Sequence, residues 1–212
     1  MFHIAPDCSL CPRLVAFRQA NIQKFPHFFN GAVPSFGELD ASLLIVGLAP
    51  GLKGANATGR PFTGDYAGDI LYEALLQNGL AQGVYAKHPG DGLTLCDVRI
   101  TNAVRCVPPE NKPLPDEAAR CNGFLSSEIS AMPRLRVILT LGGISHGAVL
   151  RAFKQKLSSA KFGHAAEHTV KFNERSFIIL NSYHTSRYNI QTRRLSQGMF
   201  NDIIRRATVL MV

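Results

Sequence analysis

Four of the five cysteines fall into two widely separated pairs: Cys8-x-x-Cys11 near the start, and Cys106 with Cys121 in the middle. One Cys-x-x-Cys is a weak signal. Two such pairs, in a chain that can fold to bring them together, point to a four-thiolate metal site. A fold that satisfies them staples the amino end onto the centre of the chain. Cys96, alone in an apolar stretch, reads as a small buried core residue.

The rest of the composition bounds the setting. At 212 residues and 46% hydrophobic, residues 1–212 read as a single domain with a real core and an N-terminal metal-binding segment. Lys plus Arg exceeds Asp plus Glu by 23 − 15 = 8, which suggests a polyanionic partner. No apolar run is long enough to cross a bilayer, so no membrane partner is expected. The start, Met-Phe-His-Ile-Ala-Pro-Asp-Cys, lacks the basic head and apolar core of a secretory signal, so the expected address is cytoplasmic. Disulfides are rare in such a compartment, which favours metal at the paired cysteines.

Along the chain, residues 1–40 read as irregular and wrapped around a preformed body. Leu43-Leu44-Ile45-Val46, ending at Gly47, reads as a buried parallel strand. Asp69–Leu76 has helical periodicity and stops near Gly79. Asp97–Thr101 is a second strand. Pro115-Asp116-Glu117 opens a helix to about Met132, with proline early and acids at its positive end. Arg136–Leu141 is the clearest strand, and Gly142-Gly143 leads into a helix ending near Phe153. Residues 154–167 read as a mobile connection. His168–Phe172 and Ser176–Leu180 flank Asn173-Glu174-Arg175 as a hairpin, and one last helix is predicted over Gln191–Leu210. Alternating strands and helices predict an α/β fold: a three-layer α/β/α sandwich around a central parallel sheet.

In such folds, sites gather on loops at the carboxyl ends of the strands. That rule selects Gly47–Asp65, Asn102–Cys106, Gly142–His146 and Asn181–Asn189. The first carries five glycines, which let backbone N–H groups approach a ligand. It has neither Walker nor dinucleotide spacing. Phe62 is either a stacking platform or a core residue. Asp65 is either functional or the N-cap of the next helix. His184, just past a strand, is placed to donate a hydrogen bond to a substrate oxygen, the alternative being a structural role. Arg187 and Tyr188, with Arg193 and Arg194, suit a nucleic-acid strand or simply a solvated helix start.

Taken together, these motifs resemble those of the uracil-DNA glycosylases, in their iron–sulfur branch, with type 5 nearest and type 4 next. The resemblance runs from Cys8 to about Ile204. It rests on Cys8-x-x-Cys11, Gly47-Leu48-Ala49-Pro50-Gly51, Gly59-Arg60-Pro61-Phe62-Thr63-Gly64-Asp65, Ile100–Cys106, Cys121 and Ser182-Tyr183-His184-x-Ser186. It implies a 4Fe-4S cluster on Cys8, Cys11, Cys106 and Cys121, with a four-cysteine zinc site as the alternative. It also implies a monomeric DNA-repair enzyme that flips uracil, hypoxanthine or xanthine out of DNA and hydrolyses its N-glycosidic bond. Phe62 would stack on the base and Asn102 would read its edge. His184 and the backbone of Gly47, Ala49 and Gly51 would steady the departing base, and Asp65 the sugar cation or water. Lys53, Arg187, Tyr188 and Asn189 would track the DNA.

Three departures stand out. Many relatives carry an acid or amide just after the opening glycine, where this chain has Leu48. Where type 5 enzymes usually have Ala-His-Gly, this chain has Leu52-Lys53-Gly54. The usual His-Pro-Ser is His184-Thr185-Ser186, and the missing proline predicts a looser loop. A DNA-binding module that has lost catalysis, and an unrelated nucleotide-using α/β enzyme, are the competing expectations.

Overall fold

The computed structural model describes residues 4–212. A helix, Pro12–Lys24 (α1), precedes the first strand, Leu43–Gly47 (β1), in which every residue is buried. A short helix, Ala55–Thr58 (α2), is followed by Tyr66–Gln77 (α3), which starts where the Asp65 side chain accepts a hydrogen bond from the Gly68 N–H. A small antiparallel pair, Ala81–Gln82 (β2) and Thr94–Leu95 (β3), leads to Val98–Asn102 (β4). Helix Pro115–Ala131 (α4) opens on its proline, and Glu117 accepts from the Leu114 N–H at 2.7 Å. Val137–Leu141 (β5) and Gly143–Ala152 (α5) follow. The hairpin Glu167–Phe172 (β6) and Arg175–Ser182 (β7), then Arg187–Gln191 (α6) and Gln197–Leu210 (α7), complete the chain.

The main sheet has the order β4-β1-β5-β7-β6. Its first four strands are parallel, and β6 is an antiparallel edge. That edge follows from the tight turn at Asn173 and Glu174, both left-handed, which returns the chain directly beside itself. Alternation along β1 explains the layers. Leu43 and Ile45 face a core with Leu71 and Leu75 of α3 and Phe200 and Ile204 of α7. Leu44 and Val46 face the opposite core with Leu125 and Ile129 of α4 and Val149 of α5. A strand buried on both faces has to be apolar throughout, as this one is. The expected α/β/α sandwich is therefore the observed architecture, with a mostly parallel sheet.

Four local expectations change. Residues 1–40 are not wholly irregular, because α1 occupies thirteen of them. Only Leu14, Arg18 and Asn21 of that helix are buried, so its apolar stripe is too thin to announce itself. The helix predicted over Gln191–Leu210 starts later, at Gln197: a separate short helix, α6, ends at Gln191, the chain turns at a left-handed Arg193 and buries Leu195, and α7 begins where Ser196 Oγ accepts from the Met199 N–H. The 154–167 connection is tied down, since ring nitrogens of His146 and His168 lie 2.9 Å from the Ala160 and Lys161 carbonyl oxygens. His146 is thus a structural residue, also held by Asn181 at 2.8 Å. Cys96 is half-buried rather than buried.

Behind the end of β4 lies a buried charge network. Glu128 of α4 accepts from Arg99 Nε at 2.6 Å, from Thr101 Oγ1 at 3.2 Å and from Arg105. Burial alone would raise the Glu128 pKa, but the Arg105 and Arg99 charges outweigh it and hold the carboxyl below its usual range. Glu128→Gln leaves two arginines without their carboxylate, so it should destabilise the fold by about 3–5 kcal/mol in urea unfolding. A loss under about 1 kcal/mol would show that the network does not hold this end of the sheet.

Candidate active site

The parallel register sets Gly47, the last residue of β1, directly beside Asn102, the last of β4. A side chain on Gly47 would strike both the Asn102 amide oxygen and the Phe62 ring, so glycine is required there. Ala49, Gly51, Phe62, Asp65, Asn102 and His184 line one pocket of about 260 Å³ of empty space. It opens into a groove of about 1260 Å³ walled by Leu48, Leu52, Lys53 and Asn111. The Asn102 Oδ1 is buried and has no hydrogen-bond partner among the described residues. A buried acceptor left unmatched is costly and marks a place where a donor belongs.

Asp65 serves two purposes. Its Oδ1 caps α3 by accepting from the Gly68 N–H at 2.9 Å. Its Oδ2 faces Gly51 and Gly54 in the groove, at a distance that leaves Gly54 no room for a side chain. Burial raises the carboxyl pKa, and the Gly68 hydrogen bond offsets part of that rise. The cap thus uses one carboxylate oxygen and leaves the other facing the groove.

His184 lies at the end of β7, its ring centroid 6.1 Å from that of Phe62 and 29° from parallel. Burial pushes its pKa down to about 4, so the imidazole is neutral at physiological pH. The loop that carries it is not loosened by the missing proline. Thr185 is fully buried and its Oγ1 donates to the Ala67 carbonyl at 3.2 Å, tying the His184 loop to the first turn of α3 just beyond Asp65. Asn189 Nδ2 donates to the His184 carbonyl at 2.8 Å and Ser186 caps α6.

Of the residues predicted to track a polyanion, Lys53 lines the groove, Tyr188 stands 71% exposed, and the Arg187 guanidinium lies 5.2 Å from the Tyr66 ring centroid. Asn189 is occupied in bracing His184. Sequence reasoning missed Glu128, Asn111, and the pair formed by Arg60 with Asp91 at 2.7 Å. Asp91 lies far from the motif it serves, and no spacing in the sequence links the two.

The four paired cysteines come together. Cys8, Cys11, Cys106 and Cys121 line one small apolar cavity with Ile4 and Leu14. Arg13 clamps α1 to Glu117 of α4 through two 2.8 Å contacts, and Arg18 Nη1 donates to the Cys8 carbonyl at 3.0 Å and lies 4.0 Å from Cys106 Sγ. Among the described residues, no three His, Cys, Asp or Glu side chains form a group that could hold a metal ion. Burial pushes the Cys106 thiol up to about 12, with the neighbouring Cys121 adding to it, and burial also raises Cys11 and Cys121.

Residues 34–208 match the family model described as the uracil DNA glycosylase superfamily. This chain belongs to that superfamily. A type-5 uracil-DNA glycosylase of Thermus thermophilus is 41% identical over 206 residues, covering 94% of this chain and 92% of the relative. Those of Pyrobaculum aerophilum and Mycobacterium bovis are 34% and 38% identical, covering 95% and 96% of this chain and 88% and 78% of their own lengths. No described helix is long and apolar enough to cross a membrane.

The neutral imidazole can be checked without substrate. NMR titration of the His184 ring should give a pKa near 4. A midpoint at the ordinary value of about 6.5 would mean that the ring is solvated and the pocket open.

Proposed function

We propose that this chain is a DNA-repair glycosylase that hydrolyses the N-glycosidic bond of uracil, and of the deaminated purines hypoxanthine and xanthine, after flipping the base out of DNA. The observation that carries this reading is the orphaned Asn102 Oδ1 in a pocket walled by Phe62, Asp65 and His184. Uracil, hypoxanthine and xanthine each present a ring N–H on their Watson–Crick edge, whereas cytosine and adenine present a bare ring nitrogen. An acceptor with no other partner disfavours cytosine and adenine, the parents of uracil and hypoxanthine, because they leave it unpaired; thymine and guanine share the ring N–H and are not screened by this group.

The chemistry follows from charge. As the bond from the sugar C1′ to the base nitrogen breaks, its electron pair leaves with the base and the sugar becomes an oxocarbenium-like cation. The neutral His184 ring donates a hydrogen bond to the base carbonyl oxygen as negative charge gathers there, and Gly47–Gly51 backbone N–H groups assist. The Asp65 carboxylate stabilises the cation and orients water, which bonds to C1′ and passes a proton to that carboxylate; the released base anion takes up a proton from solvent and Asp65 returns its own. Leu48 can neither stabilise the cation nor orient water. Lys53, Arg187 and Tyr188 lie along the path of the flanking strand.

The four cysteines supply the donor set for the 4Fe-4S cluster that the sequence resemblance implies, with four-cysteine zinc as the alternative. Zinc holds its sulfurs at about 2.3 Å, drawing all four to one point. Here all four cysteines line one cavity with Ile4, Leu10, Leu14, Val104 and Phe124, an apolar shell around four sulfur donors. Cys8, Cys11, Cys106 and Cys121 would hold the cluster, where it would brace α1 against α4.

The test is a uracil-containing oligonucleotide, treated with alkali after incubation to cut abasic sites. Asp65→Asn and His184→Ala should each slow cleavage by about a hundredfold or more. A base-inert wild type that still binds the oligonucleotide would instead identify a DNA-binding module. The rate should fall as pH drops through the raised Asp65 pKa, because protonation removes the carboxylate, and should show no histidine limb above it. Purified protein should carry iron and sulfide and lose both in Cys121→Ser; a colourless, iron-free wild type would contradict the cluster.

A further inference from the structure

Phe62 is held in an uncommon conformation. Its φ of 53° lies in the left-handed region, which bulky side chains seldom occupy unless the surroundings enforce it. The enforcing groups come largely from outside the Gly59–Asp65 motif. Tyr72 Oη donates to the Pro61 carbonyl at 2.6 Å. Tyr85 Oη donates to the Phe62 carbonyl at 3.3 Å and accepts from the Gly64 N–H at 3.3 Å. On the helix side, Gly68 packs so tightly under the Phe62 carbonyl that no side chain would fit.

Arg60 anchors the other flank. Its Nε donates to Thr63 Oγ1 at 2.8 Å, and its two terminal nitrogens meet the Asp91 carboxylate at 2.7 and 2.8 Å. The guanidinium lies 5.1 to 5.9 Å from the ring centroids of Phe36, Tyr72 and Tyr85. Asp91 is fixed in turn by the N–H groups of Ala86 and Leu93. Tyr85 and Asp91 both belong to the excursion between α3 and β4, and neither lines the pocket.

We propose that Tyr85 and Asp91 are positioning residues for the base-stacking face: acting through the Phe62 carbonyl and through Arg60, they lock the Phe62 ring against Gly47 and so set how strongly an extruded base is held. This deepens the glycosylase reading and rests on it. The Arg60 guanidinium holds the Asp91 carboxyl well below the usual range, so the clamp persists through the acid limb expected from Asp65.

Tyr85→Phe removes the hydroxyl and keeps the ring beneath Arg60; Asp91→Asn removes the charge and keeps the shape. The probe is a duplex with one 2′-fluoro-deoxyuridine, whose bond resists cleavage, compared with the same duplex bearing 2′-fluoro-deoxycytidine at that site. Preference for the first duplex should fall on the order of tenfold in both variants, which is the scale of one base–aromatic stack, with the pH profile of uracil release unmoved. A lower melting temperature with unchanged preference would mean a merely structural role and overturn the inference. Should wild type itself fail to tell the duplexes apart, the glycosylase reading falls. The clamp is then judged by the crystal structure of Tyr85→Phe, where Phe62 leaving the left-handed region supports it and an unmoved Phe62 refutes it.

Discussion

One neighbour relation governs the site: Gly47 against Asn102, the last rungs of two parallel strands. Because Gly47 has no side chain, the Asn102 amide and the Phe62 ring can share the space above it. That shared space is the floor of the pocket. The two-sided burial of β1 fixes the register, since a shift by one residue would exchange its two core faces. The core thus determines where the Asn102 amide stands, and the loops add what surrounds it.

Charge is managed differently inside and outside the pocket. Glu128 has two arginine partners and Asp91 has one, so both carboxylates stay ionised while buried. Asp65 has no basic partner, and burial raises its pKa instead. Among the described residues His184 likewise has no charged partner, and burial keeps it neutral. The paired groups hold the frame, and the unpaired ones remain available to a substrate whose own charges develop during bond cleavage.

Much of this was legible in the sequence. Short apolar runs ending at Gly47, Thr101 and Leu141 marked three parallel strands, and the strand-end rule placed Phe62, Asp65, Asn102 and His184 on one edge. The pairing of Cys8 and Cys11 with Cys106 and Cys121 into one cavity was legible as well. What escaped depended on contacts without local pattern. Helix α1 buries too little for its periodicity to show, and the turn at Arg193 depends on burying Leu195. The Thr185 tie to Ala67 turns a lost proline into a different restraint, which only the partner's position reveals. Asp91 gives no sequence sign that it clamps Arg60, thirty-one residues away.

The central claim is that the pocket walled by Phe62, Asp65, Asn102 and His184 receives an extruded, deaminated base. Single-turnover cleavage of a uracil-containing oligonucleotide by Gly47→Ala tests it most directly, because one added methyl group pushes the Asn102 amide and the Phe62 ring out of place while Asp65 and His184 keep their side chains. The account predicts a folded protein whose cleavage rate falls by about a hundredfold. A folded Gly47→Ala protein that releases uracil at the wild-type rate would contradict it.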